Sequence, residues 1–255
     1  MNLVSIIIPV HKNHLLFVST LQNLFKQTYK KFEVIIIYDG RNTQDIRSIK
    51  LKIKKYKNIR FYSNNKNFGV AYSRNRALKL SNGKYVAFLD SDDLWHEKKL
   101  EYQINFMKIN NLDFSHTSYN IINTKNKIIA TRLAKPVISY KELLNSCDIG
   151  TSTVMLKKDI LNNEKFRNLK TKEDYALWLA LAKKNIKISG INKILVSWRK
   201  NSSSLSSSTF QKIKDAFKIY YEIEKFSFLY SIYRVFVLCF NFVVKDIKSR
   251  GLILK

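Results

Sequence analysis

The chain of 255 residues predicts a doubly wound α/β fold built on a mostly parallel sheet, on three observations. Short β-branched runs alternate with helix-length amphipathic stretches through the first part of the chain. Polar clusters follow directly on those runs. With only 6 Gly and 2 Pro there is little room for long flexible linkers, and 45% hydrophobic residues supply a packed core.

Residues 3–10 are a β-branched run, the pattern of a strand buried on both faces. The opening MNLVSIIIPV has no basic leader and no cleavage site, so it reads as this strand rather than a signal peptide, and the chain is expected in the cytoplasm. A helix follows over 15–26, with Leu16, Leu21, Leu24 and Phe25 on one side. The second strand is 32–38, ending at Asp39-Gly40. Residues 42–56 are basic and amphipathic, and 59–62 form a short third strand. A helix over 68–80 closes at Asn82-Gly83, and 85–89 is the fourth strand. Such sheets bind ligands at the carboxyl ends of their strands. Those ends carry Pro9-Val10-His11, Asp39-Gly40 and Asp90-Ser91-Asp92-Asp93.

Beyond them the pattern gives a helix over 97–110 and two strands within 113–129, turning at Lys125-Asn126. A short helix over 139–146, a strand over 151–156 and a helix over 174–184 come next. Strand follows over 186–198, then a serine-rich loop over 201–208 and a helical remainder. Cys147 and Cys239 lie far apart with no metal-like spacing and are expected as free thiols.

The densest chemistry lies in YVAFLDSDDLW, residues 85–95, where an apolar strand delivers Asp90, Asp92 and Asp93. Like charges repel, and burying them unpaired is costly. A hard divalent cation held between carboxylate and diphosphate oxygens relieves the conflict. Capping of the following helix would explain one of the three Asp.

These motifs, taken in order, resemble the family-two inverting glycosyltransferases. The resemblance rests on VSIIIPVHK, the strand ending Asp39-Gly40, NFGVAYSRNRA at 67–77, the Asp-rich stretch, and Glu173-Asp174 followed by Tyr175 and Trp178. Trp198-Arg199 leading to Ser204-Leu205-Ser206 resembles the loop that closes over the donor. The match spans about residues 3–210 and is nearest to bacterial hexosyltransferases of O-antigen or capsule assembly.

The resemblance implies a GT-A fold: a Rossmann-like, mostly parallel sheet with helices on both faces, plus a C-terminal helical segment. It implies a nucleotide-sugar half over 1–105 and an acceptor-binding, catalytic half over 106–210. It implies a UDP-sugar donor, first UDP-glucose and then UDP-galactose, with Mn²⁺ or Mg²⁺. Asp39 would meet the uracil edge and His11 would lie on the base, with Pro9, Ser91 and Arg74 on the same donor site. Asp92 would bind the metal, supported by Asp90. Asp174 would be the general base, with Glu173 as the fallback. Tyr38, Arg41, Glu97 and Asn201 depart from the family pattern and leave base recognition open.

The net charge of +27, from 46 Lys+Arg against 19 Asp+Glu, implies an anionic partner, although a Lys-, Asn- and Ile-rich composition also follows from an AT-rich genome. Residues 226–244 are nearly all apolar or aromatic, with Arg234 their only charge and Lys and Arg on both flanks. That length just allows a spanning helix. Arg234, Asn241 and several Tyr and Ser argue for a helix lying in the membrane interface or packed on the domain. The expectation is that 211–255 attaches peripherally to the anionic inner face of the cell membrane, where a polyprenyl-diphosphate-linked saccharide acceptor is presented. Two other readings are a catalytically silent membrane scaffold and a basic nucleic-acid-binding protein. The second lacks any zinc-finger, helix-turn-helix or RNA-recognition signature, so no nucleic-acid partner is expected.

Overall fold

The computed structural model describes residues 2–11, 15–200 and 208–251. Asn201 and all but the last residue of the serine-rich loop lie outside them. Strands β1 (Val4–Val10), β2 (Phe32–Tyr38), β3 (Ile59–Ser63) and β4 (Tyr85–Phe88) run parallel in the order β3-β2-β1-β4. Their crossovers contain α1 (Leu15–Leu24), α2 (Thr43–Ile53) and α3 (Val70–Leu80). In β1 and β2 successive residues alternate between two cores. Ile7, Ile35 and Ile37 face one, and Ile6, Ile8, Val34 and Ile36 the other. Both faces being buried is why these strands read as continuous apolar runs.

The sheet continues past β4 without a break. Antiparallel β9 (Met155–Lys157) joins it to β6 (Phe114–Ile122), which pairs in parallel with β10 (Ile188–Arg199). The two-residue β5 (Leu94–Trp95) ends the order on β10. Strand β7 (Ile128–Arg132) folds back on β6, and β8 (Val137–Ile138) pairs with β10. Helices α1, α2 and α4 (Lys99–Ile109) cover one face of the sheet. The other carries α3, α5 (Tyr140–Asn145) and α6 (Glu173–Lys183). Trp178 of α6 anchors that second core, packed edge-on against Phe114 and Phe166 and tilted against Phe88.

Two local expectations are corrected. The segment after the Asp cluster does not enter a helix but pairs as β5, and α4 begins beyond Lys98, which makes no side-chain cap. None of the three Asp is therefore its cap. Residues 151–156 are not one strand: Thr151–Thr153 is a single 3₁₀ turn leading to β9, its hydroxyls used for side-chain bonds.

The C-terminal region comprises α7 (Thr209–Lys218), a π turn (Ile219–Ile223) and the long helix α8 (Phe228–Gly251). Helix α8 packs inside out. Ser231, Arg234, Leu238 and Ser249 are buried, and Asn241 and Lys245 on the same stripe bond to the domain. Leu229, Tyr233, Phe236, Phe240, Phe242 and Ile247 are exposed, as is Cys239.

Gly190 of β10 passes close to other backbone: a Cβ there would stand 2.1 Å from the Lys135 carbonyl oxygen. Gly190→Ala is expected to destabilise the fold by about 1–3 kcal/mol or more, read as a lowered midpoint of thermal unfolding.

Candidate active site

The carboxyl ends of β1, β2 and β4 gather the residues singled out from the sequence. Pro9 lies within β1 in register with Ile37. Asp39, just past β2, is 4% exposed. Its carboxylate accepts from Asn64 Nδ2 at 2.7 Å and from the backbone N–H groups of Phe68 at 2.9 Å and Gly69 at 2.7 Å. Gly69 has φ of 93°, in the region that favours glycine. Asp39 thus sets the turn that enters α3. A carboxylate has roughly four acceptor positions, so three internal donors leave little of it for a base. His11 is exposed beside it. Its Nδ1–H donates to the Asp39 carbonyl at 2.9 Å and its Nε2 accepts from Asn67 at 3.2 Å, an assignment set by the partners.

The Asp-rich loop is held from beneath. Asp93 is wholly buried, accepting from Ser152 Oγ at 2.6 Å and from the Arg199 N–H at 2.8 Å. Burial pushes its carboxyl well above the ordinary range, and the charges of Asp90 and Asp92 add to that. Thr20 Oγ1 bonds to the carbonyls of Ser91 and Asp93, Arg199 Nε donates to the Asp92 carbonyl at 2.9 Å, and the Asp90 N–H donates to Ser152 Oγ. The three Asp side chains therefore do not converge. Among the described residues no three Asp, Glu, His or Cys are placed to hold a metal ion. With Asp93 withdrawn, the loop offers the partly exposed carboxylates of Asp90 and Asp92. One or two carboxylates with phosphate oxygens is a donor set that suits Mg²⁺ or Mn²⁺ arriving with a diphosphate.

Arg74 departs from its expected place on the donor. It is neither exposed nor open to a phosphate: at 3% exposure it donates from Nη2 to Asp90 at 2.7 Å and from Nη1 to Glu173. Its guanidinium lies over the Phe166 ring, 5.3 Å from the centroid. Burial opposes its charge, but Asp90, Glu173 and Asp174 outweigh that and raise its pKa. The Asp-rich loop and the start of α6, far apart in sequence, are thereby joined through one side chain.

At that start, Lys172 takes the left-handed conformation and Glu173 turns inward, 7% exposed, onto Arg74. Burial pushes the Glu173 carboxyl up to about 7, with Asp174 adding and Arg74 opposing. Asp174 is the more exposed of the two. It accepts from Thr151 Oγ1 at 2.5 Å and from the Tyr175 N–H at 2.7 Å. Glu173 is thus engaged with Arg74, whereas Asp174 stays partly exposed. Sequence reasoning missed Thr20, Thr151 and Ser152, which carry no motif. Arg199 was noticed only as the approach to the closing loop.

Residues 5–169 match the model of glycosyl transferase family 2. The chain belongs to that family. This family-2 chain is 38% identical over 216 residues to the Escherichia coli protein named UDP-Glc:alpha-D-GlcNAc-diphosphoundecaprenol beta-1,3-glucosyltransferase WfgD, covering 83% of each. It is 32% identical to the putative teichuronic acid biosynthesis glycosyltransferase TuaG of Bacillus subtilis, covering 89% of this chain and 90% of that one. Among solved structures it superposes on S. aureus TarS in complex with UDP-GlcNAc with a TM-score of 0.70, covering 89% of this chain and 69% of that one at 21% identity. The mannosyltransferase PcManGT from Pyrobaculum calidifontis, in complex with GDP-Man and Mn²⁺, gives 0.68 over 91% and 69% at 12% identity. Identities that low carry the fold alone. The fold is GT-A and the chain is a transferase.

Folding raises the Glu173 carboxyl from the ordinary value of about 4.3 to about 7. The folded chain then holds a proton that the unfolded chain has released, so the stability this group contributes falls as pH rises through that window. Glu173→Gln, which does not titrate, is expected to flatten that part of the profile in urea-unfolding curves taken at successive pH values.

Proposed function

We propose that this family-2 transferase moves a hexose, from UDP-glucose first and UDP-galactose second, to a polyprenyl-diphosphate-linked saccharide in O-antigen or capsule assembly. The names of its relatives supply donor and acceptor class. The observation that carries the mechanism is the Asp90–Arg74–Glu173 bridge, which sets Asp174 beside the Asp-rich loop. Asp174 accepts the proton of the acceptor hydroxyl. That oxygen forms its bond to the anomeric carbon as the bond to the diphosphate breaks, inverting the centre and releasing UDP. A base of this kind contributes roughly 10²–10⁴-fold. Asp92, with Asp90 beside it, would hold Mn²⁺ or Mg²⁺ on the donor diphosphate, where the ion neutralises charge on the leaving group. His11 and the remaining acceptor capacity of Asp39 would face the uracil.

The split into a nucleotide-sugar half over 1–105 and an acceptor half over 106–210 belongs to the same reading. So does the place of work, the inner face of the cell membrane. Supporting it, α8 turns its polar stripe to the domain and its aromatic face outward, while the chain carries +27. An anionic bilayer satisfies both the apolar face and the charge.

Two measurements test these assignments. Asp174→Asn should abolish transfer while leaving UDP binding intact, and Asp92→Ala should remove Mn²⁺-dependent UDP binding in calorimetry. Retained turnover in the first would dismiss the base, and unchanged titrations in the second would dismiss the metal ligand. For the membrane, wild type should sediment with anionic vesicles and be released by salt. Phe236→Ser with Phe240→Ser should weaken that binding about tenfold or more; equal sedimentation of wild type and variant would count against α8 as the contact.

A further inference from the structure

The segment between α5 and the 3₁₀ turn at Thr151 has no regular structure, so side chains must hold it. At one end α8 holds it. Asn241 Nδ2 donates to the Asn145 carbonyl at 3.0 Å. Lys245 Nζ donates to the Cys147 carbonyl at 2.8 Å, to Ser146 Oγ at 3.2 Å, and to the Asp148 carboxylate. Lys245 is itself fixed, because Arg132 donates to its carbonyl and pairs with Asp246 at 3.1 Å. At the other end Thr153 ties back to Gly150 through both its hydroxyl and its N–H, and Thr151 Oγ1 donates to Asp174 at 2.5 Å. One short strip of chain therefore connects the polar face of α8 to one oxygen of Asp174.

We infer that Lys245 and Asn241 are positioning residues for Asp174, acting through residues 145–151; the inference rests on Asp174 being the general base. Burial would raise the Asp148 carboxyl, but Lys245, Ser146 and Lys135 outweigh it and hold the group below its ordinary range, so the ion pair with Lys245 stands at neutral pH. Without the ammonium, the strip loses three bonds at once, and Thr151 keeps only the support of Ser152 on its far side, so the direction from which it orients the carboxylate is no longer set from α8. Small misplacements of a reacting group cost on the order of 10²-fold. The donor side, held by Asp39, Arg74 and the Asp-rich loop, has no bond to this strip except through Thr151 and the turn it opens.

The test uses the full chain with UDP-glucose, Mn²⁺ and a short-chain lipid-diphosphate N-acetylglucosamine. Lys245→Met is expected to lower kcat about ten- to a hundredfold with donor KM and calorimetric UDP affinity within about twofold, and Lys245→Arg to restore most of the loss. Thr151→Val should cost a similar factor, and the double variant should cost no more than either alone, as coupled sites do. Unchanged kcat, losses that multiply, or a parallel loss of UDP affinity would overturn the inference. If Lys245→Met does not fold, Asn241→Ala takes its place in the same cycle.

Hydrogen exchange makes the result independent of turnover. In Lys245→Met, protection should fall over residues 146–151 and in the first turn of α6, and return in Lys245→Arg. Unchanged protection there sinks the inference whether or not the probe is a substrate. Loss of protection in Lys245→Met, alongside a wild type that transfers no sugar, would instead count against the proposed function.

Discussion

Arg74 places one buried positive charge between Asp90 on the β4 loop and Glu173 at the start of α6, and the rest of the site is arranged round it. A guanidinium suits the place because its planar fork reaches two carboxylates in fixed directions, which an ammonium on a flexible stem does not. Buried ion pairs add little net stability, and losing one partner is costly. The bridge therefore serves geometry: it requires α3, the Asp-rich loop and α6 to be in register before the charge is satisfied. The start of α3 is set in turn by Asp39, which grips Gly69. A chain of polar contacts thus runs from the end of β2 through α3 to Glu173 at the start of α6, and Asp93 with Ser152 and Arg199 supports the loop from below.

Helix α8 inverts the usual division of surfaces. A helix on a soluble domain buries its apolar stripe, whereas this one buries Arg234 against the rings of Tyr220 and Tyr230 and leaves large apolar side chains in the open. An exposed apolar patch and a buried charge are each informative, and here they lie on opposite sides of one helix. Of the two expectations for this segment, packing on the domain describes its polar stripe, and the exposed aromatic face is what the proposed membrane contact would use.

Strands β1 and β2 were legible because burial on both sides demands apolar, β-branched-rich runs, and a run such as FEVIIIY has no other economical use. Strands β5 and β8 were not, since two residues carry no period. The Asp-rich motif was visible, but its division of labour was not. Asp93 differs from Asp92 only in which way the loop turns, and that is decided by Ser152 and Arg199 from distant segments. Arg74 read as a residue of the donor site, because nothing local shows that Glu173 packs against that face of α3. Thr151 and Ser152 sit in a run that looks like a strand and becomes a turn only because their hydroxyls are claimed by Asp174 and Asp93. Tertiary partners that lie a hundred residues away leave no local pattern.

The two cysteines differ in the same way, and the difference has a practical side. Thiol chemistry proceeds through the thiolate. Burial pushes the Cys147 thiol up to about 12, with Asp174 adding to the shift, which disfavours its thiolate at neutral pH. Cys239 is exposed on α8 among the outward-facing aromatic side chains. Cys239 is thus the more exposed and more reactive attachment point for a polarity-sensitive fluorophore, already seated on the face the proposal gives to the bilayer and distant in sequence from every residue of the donor site.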